Sequence, residues 1–317
     1  MNILRRLYNS LHSGPLYRQS FRLLSALSRL LIFLSGRRLH FGGDEKRRPL
    51  LLLTVAFGNA ALIREQNIRL KHYVRDKGYL RIVVDNSVSR SARREIAAVC
   101  RESGVRYVAV PHFLSRFFSL PIIPNRFSLS HATALNWAVA RIISPLRPAV
   151  TALLDHDLMP TGEIDFAARL GAQPFYGALV ERNGLTYLWP GYAIFRTDVL
   201  LACRPDFFPL YIGRTWLDVG GMLYRRLYCR YDMTSLPLAR AKTKRITVTP
   251  GLTRYNDILH TDCIDRFDGL WVHLVNGSNY TRSAKKSDML RECLRLLREN
   301  DAKREAEENN TQRGGGE

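Results

Sequence analysis

The chain has 317 residues, 46% of them hydrophobic and 24% charged, enough to bury a sizeable core in one large α/β unit with appendages. Its 48 Lys and Arg against 28 Asp and Glu give a formal charge of +20, which points to an acidic partner: a nucleotide sugar, an anionic membrane face or a polyanionic acceptor. Zinc-finger spacing, a Walker loop and nucleic-acid-binding signatures are absent, so nucleic acid ranks below membranes and phosphate-bearing substrates. The scattered Cys100, Cys203, Cys229, Cys263 and Cys293 form no C-x-x-C pair, which excludes a disulfide framework or structural zinc and fits a reducing cytosol.

Residues 1–48 read as a basic amphipathic helical extension. Leu23, Leu24, Leu27, Leu30, Leu31 and Leu34 recur at helical spacing, with Arg18, Arg22, Ser25 and Arg29 on the opposite stripe and Ile32 and Phe33 intruding on it. The uninterrupted apolar run, Leu30 to Leu34, is far short of the roughly 20 residues a spanning helix needs. Arg29 breaks any signal-peptide core. The helix reads either as interfacial on anionic lipid or as packed on the catalytic domain with its arginines solvated. After the linker Phe41–Pro49, strands are expected at Leu50–Ala56, Leu80–Val84 and Arg106–Val110, with helices at Ala61–Lys77, Ser91–Glu102 and Ser128–Ile143. Ala152 to Leu154 then run straight into Asp155-His156-Asp157, the pattern of a buried strand whose C-terminal end opens into a site. Carboxylates at i and i+2 of an extended segment point the same way and suit a hard divalent cation. Farther on, strands are expected at Phe175–Val180, Tyr187–Phe195, Arg245–Val248 and Leu270–Leu274, with a turn at Arg182-Asn183-Gly184. Helices are expected at Leu217–Tyr228 and Ala284–Leu297, before a disordered polar tail over residues 301–317. Alternating strands and helices imply an α/β fold with a mostly parallel central sheet flanked by helices, filling residues 49–300.

The order of Leu53-Thr54-Val55-Ala56-Phe57-Gly58-Asn59, Val83-Val84-Asp85-Asn86-Ser87, Leu154-Asp155-His156-Asp157, Asp218-Val219-Gly220-Gly221 and His273 resembles that of GT-A (Rossmann-like) glycosyltransferases, most like family 2. The first loop lacks that family's usual aromatic-Asn run, and the acidic motif here is Asp-Val-Gly-Gly. The resemblance implies that Asp157 ligates a divalent cation, Mn²⁺ or Mg²⁺, and that Asp155 contacts the ribose or reaches the metal through water. It also implies that Asp85 binds the base, with Thr54 and Phe57 lining the same pocket, and that His273 completes the metal or diphosphate site.

Each residue also has a plainer role open to it. The acidic pair could be a solvated turn or cap, Asp85 an Asx-turn, and His273 a satisfied strand histidine. Asp218 suits the general base that inverting transfer requires near the acceptor hydroxyl, or the N-cap of the helix it opens. Gly220 and Gly221, like Gly191, would admit a ligand close to the backbone. Trp216 could face a sugar ring or pack in the core. Asn136 reads as a structural contact and His131 as a surface or capping residue.

The expected function is metal-dependent transfer of a sugar from a nucleotide-sugar donor to a glycan or lipid-linked acceptor, with inversion, in the cytoplasm at the inner face of the membrane. A sugar nucleotidyltransferase and a non-catalytic, membrane-peripheral scaffold are the competing expectations.

Overall fold

The computed structural model describes residues 15–36, 39–245 and 263–274, together with 290, 291, 294, 295 and 297–299. Six strands form the central sheet: β1 (Leu50–Ala56), β2 (Leu80–Asp85), β3 (Arg106–Ala109), β4 (Val150–Asp155), β6 (Phe175–Arg182) and β7 (Leu185–Arg196). Their order is β3-β2-β1-β4-β7-β6, with β3, β2, β1 and β4 parallel and β7 antiparallel to both β4 and β6. The expected mostly parallel sheet flanked by helices is therefore present. Every residue of β1 is buried, which explains its continuous apolar run: it is covered on both faces.

The chain leaves β1 towards β2 on one side and later returns as β4 on the other, so the strand order reverses between β1 and β4. Loops after the carboxyl ends of strands flanking such a reversal enclose a crevice. Gly58 (φ +68°) makes the turn out of β1, and the Asn59 side chain accepts the Leu62 N–H to start helix α2 (Ala60–Tyr73). That helix ends short of Lys77 because Val74 leaves it to bridge Ile164. Helices α3 (Arg90–Glu102), α4 (His112–Phe118) and α5 (Arg126–Ala138) follow, and α5 runs on through a wider turn, Val139–Ile143. Asn183 and Gly184 both have positive φ, 50° and 76°, as a tight β6–β7 hairpin turn requires.

A second sheet, ordered β10-β11-β12-β5, joins β5 (Leu158–Pro160) to β10 (Lys242–Arg245), β11 (Cys263–Phe267) and β12 (Trp271–Leu274). The continuation of the strand expected at Arg245–Val248 and the 301–317 tail lie outside the described residues. So does most of the Ala284–Leu297 helix, though residues 290, 291, 294, 295 and 297–299 are helical.

One expectation needs correction. The helix expected over Leu217–Tyr228 is shorter: Leu217 closes β9 (Thr215–Leu217), paired with β8 (Leu210–Ile212), and the helix runs over Gly221–Arg226, with a 3-10 turn at Tyr228–Arg230. Gly220 takes a left-handed φ of +88°, and a Cβ on Gly221 would sit 2.9 Å from the Leu210 nitrogen. The glycine pair serves this turn rather than leaving room for a ligand.

The N-terminal helix, α1 (Pro15–Leu34), is docked on this body. Phe21, Ser25, Ser28 and Ile32, successive residues of one helical stripe, are buried. The Ser25 hydroxyl donates to the buried Asp206 carboxylate at 2.7 Å, Arg29 donates to the same group at 3.0 Å, and Ser28 reaches Thr133 on α5. Asn136 fulfils its structural expectation by donating to Asp206 while accepting the Phe207 N–H. Trp216 packs against Phe21 of α1, not in a ligand site.

Candidate active site

At the β1/β4 reversal lies a cavity of about 220 Å³ lined by residues from every strand end around it. Val55 and Phe57 come from the end of β1, Asn86 from β2, and Asp155, His156 and Asp157 from β4. The first turns of α5 add Phe127, Ser128, Ser130 and His131, β7 adds Trp189, and the turn after β9 adds Asp218 and Val219. Three carboxylates thus face one small space, and none of the described residues lining it is Lys or Arg.

Strand pairing explains how His273 reaches Asp157. β5 starts at the residue after Asp157, and its Leu158 pairs with His273 on β12; the Leu274 N–H donates to the Asp157 carbonyl at 2.9 Å. The imidazole Nε2 then lies 3.6 Å from Asp157 Oδ1, and Nδ1 lies 3.5 Å from Asp265 Oδ2 on β11. Burial alone pushes the imidazole pKa down, but Asp157, Asp265 and Asp155 outweigh it and raise the net value. For Asp155, burial and then the like charge of Asp157 raise the carboxyl above its usual range, opposed by His131, whose Nε2 sits 3.2 Å from Asp155 Oδ1.

The backbone of the acidic turn is held from below. Gln66 Nε2 donates to the carbonyls of Asp155 (2.6 Å) and Leu158 (2.8 Å), gripping the turn on both sides of Asp157. Its own oxygen accepts from Arg81 Nη2 at 2.6 Å and from the Thr54 hydroxyl at 2.9 Å, while Arg81 Nη1 donates to Thr54. Arg81 is buried, which draws its pKa down to about 10, still charged at neutral pH.

Asp155, Asp157, Asp218 and Phe57 are therefore brought together, with His273 behind Asp157. Thr54 and Asp85 are not. Thr54 is consumed in the network beneath the turn. Asp85 is 0% exposed; its Oδ1 accepts the Ser87 N–H and its Oδ2 the Tyr107 hydroxyl, both at 2.8 Å. The Asx-turn is the role this geometry gives Asp85.

Asp218 is not a helix cap, since the helix starts at Gly221; its Oδ1 accepts the Val219 N–H, and its own N–H donates to the Tyr187 hydroxyl. His131, expected on the surface, lines the cavity. Sequence reading also missed Gln66, Trp189 and Asp265. The signal for Gln66 was a helix too polar to float on an apolar stripe: Glu65, Gln66, Asn67 and Arg69 are all buried in α2. Trp189 tilts over His273 with ring centroids 4.4 Å apart, and a Cβ on Gly191 would fall 2.1 Å from its ring, so the glycine makes room for the tryptophan rather than a ligand.

Three solved structures similar to this chain are glycosyltransferases. The galactosyltransferase LgtC, in complex with donor and acceptor sugar analogues, is 18% identical over 47% of this chain and 58% of its own, with a TM-score of 0.34. The mannosyltransferase PcManGT from Pyrobaculum calidifontis, in complex with GDP-Man and Mn²⁺, is 14% identical over 58% and 55%, with a TM-score of 0.34. Glucosyl-3-phosphoglycerate synthase from Mycobacterium tuberculosis, in complex with UDP, is 15% identical over 64% and 76%, with a TM-score of 0.38. This chain thus spans little more than half the length of the first two. No family model and no curated protein sequence matches it.

The donor set suits a hard divalent cation, which takes carboxylate oxygens and tolerates an imidazole. Among the described residues no three such groups stand ready-made as a metal site.

Proposed function

We propose that this chain is a glycosyltransferase of the GT-A type that moves a sugar, with inversion, from a nucleotide-sugar donor to a glycan or lipid-linked acceptor. The observation that carries this reading is the convergence of Asp155, Asp157 and Asp218 in a strand-end cavity whose described lining has no Lys or Arg. Such a cavity repels a diphosphate unless a cation bridges them. A bound divalent ion would supply that bridge and neutralise charge on the departing diphosphate. Asp157 and Asp155 would hold it, with His273 behind them.

Asp218 lines the same cavity from another element and would take the acceptor's hydroxyl proton as its oxygen attacks the anomeric carbon. The bond from that carbon to the diphosphate breaks, and the nucleoside diphosphate leaves with the electron pair. At about 220 Å³ the cavity is below the 300–1,000 Å³ usual for a whole ligand, and so suits the reacting end of a longer donor. Its wall includes Phe127, 51% exposed, and the loop just before carries the exposed Leu120 and Ile122. An apolar lip of this kind favours an acceptor with a lipid moiety and an enzyme working at the inner membrane face.

The test is calorimetry of the purified protein with Mn²⁺ and a panel of nucleotide sugars, with slow donor hydrolysis as a second readout. One donor should bind only with the metal, and Asp157→Ala should abolish that binding in a folded protein. Absence of binding across the panel by folded protein would overturn the reading. Pyrophosphate release from a sugar phosphate and a nucleoside triphosphate would replace it with nucleotidyl transfer.

A further inference from the structure

Helix α1 buries Phe21 and Ile32 and packs Tyr17, Leu24 and Leu31 against the core, yet it divides its apolar residues between the inner and outer faces. A surface helix ordinarily buries its most apolar stripe and shows its polar one to water. Here the inward stripe includes Ser25, whose hydroxyl donates to the carboxylate of Asp206, which is 1% exposed, and Ser28, whose hydroxyl donates to Thr133. Arg29 is bent towards the same group, and Arg18 is bent inward to the Gly213 carbonyl. Arg141 fixes the far end by donating to the carbonyls of Ile32 and Phe33. The orientation is thus set by polar contacts, those of Ser25 and Ser28 buried, together with the buried Phe21 and Ile32.

Its consequence is on the other side. Leu23 (71% exposed), Leu30 (53%), Phe33 (76%) and Leu34 (64%) are displayed along the outer face of a helix about 30 Å long. Monomeric proteins rarely show apolar side chains massed like this without a partner.

We propose that this face is a docking surface for an anionic lipid bilayer. Charge complementarity selects that occupant. Arg22 is exposed beside Leu23, Arg29 keeps half its side chain exposed beside Leu30, and Arg37 and Arg38 follow the helix in sequence, in a chain of charge +20. Apolar side chains flanked by arginines match a headgroup layer, with Leu and Phe reaching the acyl boundary and the guanidinium groups meeting phosphates. No helix among the described residues is long and apolar enough to cross a membrane, so α1 would lie in the interface plane. The surface gives the membrane setting proposed above a physical location and rests on that setting, but not on the sugar chemistry.

The experiment is flotation of the full chain with phosphatidylcholine vesicles with and without phosphatidylglycerol, comparing wild type with the double variant Leu30→Ser/Phe33→Ser. Both residues are exposed and contribute nothing to the cavity, so donor calorimetry and circular dichroism should match wild type. Wild type should bind the phosphatidylglycerol vesicles, more weakly as salt rises, and the variant should lose at least about tenfold in affinity. Equal binding by wild type and variant would overturn the proposal. So would loss of a wild-type dimer in the variant by sedimentation, which would assign the face to a second copy. Vesicle binding that appears only after residues 1–14 are removed would assign it to that segment instead. If no donor binds while vesicle binding follows these expectations, the sugar-transfer reading fails and the docking surface stands.

Discussion

At the scale of single residues, two side chains carry the sharpest expectations. Gln66 connects a buried cation to the acidic turn, donating to the carbonyls on both sides of Asp157 and accepting from Arg81. Gln66→Leu should strand those partners and cost about 1–3 kcal/mol of stability, read by denaturant unfolding. Gln66→Glu keeps an acceptor for Arg81 but sets carboxylate oxygens against two carbonyls. If Gln66 positions the metal turn, Mn²⁺ affinity drops in both variants even where Gln66→Glu retains its stability. Metal affinity that merely tracks stability would reduce Gln66 to a core residue. For Asp218, removal of the base with shape retained is the cleaner probe. Asp218→Asn should lower the transfer rate by roughly 10²–10⁴ while leaving metal-dependent donor binding intact. A parallel loss of donor binding would show that Asp218 belongs to the donor site and not to the acceptor.

At the scale of elements, the sequence displayed most of the framework because its signals are local. The apolar run of β1, the Asn183-Gly184 turn and the acidic end of β4 each announce themselves within a few residues. What stayed hidden depends on distant partners. Helix α1 could not be oriented from its own stripe, because the group that holds Ser25 inward is Asp206, 181 residues away. Asp218 has the position of an N-cap if a helix spans Leu217 to Tyr228, yet pairing with β8 wins over residues 215–217. Thr54 and Asp85 are expected to contact a nucleotide by resemblance alone, and in the structure Arg81 and Tyr107 engage them. Asp206 also makes the α1 account testable. Asp206→Ala leaves the Ser25 hydroxyl and the Asn136 amide without their buried acceptor, and should destabilise by about 1–3 kcal/mol. Ser25→Ala should cost about 1 kcal/mol or less by the same measure. If the two variants unfold at the same denaturant midpoint as wild type, α1 is not fastened through this carboxylate.

Across the whole molecule, charge is distributed against the grain: a strongly basic chain encloses a cavity lined by carboxylates. The chain's charge favours anions while the cavity's carboxylates favour a positive charge, and stability should record that tension. An imidazole whose pKa is raised by folding contributes stability that is complete below its ordinary value of 6.5 and is lost as pH climbs through the raised value. His273 is such a group, and Asp157 is the largest cause lifting it against burial. The metal-free protein should therefore melt at a lower temperature at pH 8 than at pH 6.5, and Asp157→Asn should flatten that slope. If Asp155 and Asp157 hold a divalent cation as proposed, that ion would replace the proton as the positive charge beside them and would bind better once the His273 imidazole is neutral. At a hundred times its dissociation constant it should add about 2.7 kcal/mol, more readily at pH 8 than at pH 6.5. The measurement is a thermal melt at both pH values, with and without Mn²⁺, for wild type and Asp157→Asn. A pH slope identical in the two proteins would mean that Asp157 does not set the charge of His273. A melting temperature unmoved by Mn²⁺ at either pH would remove the cation from the site, and with it the means by which this acidic cavity could hold a diphosphate.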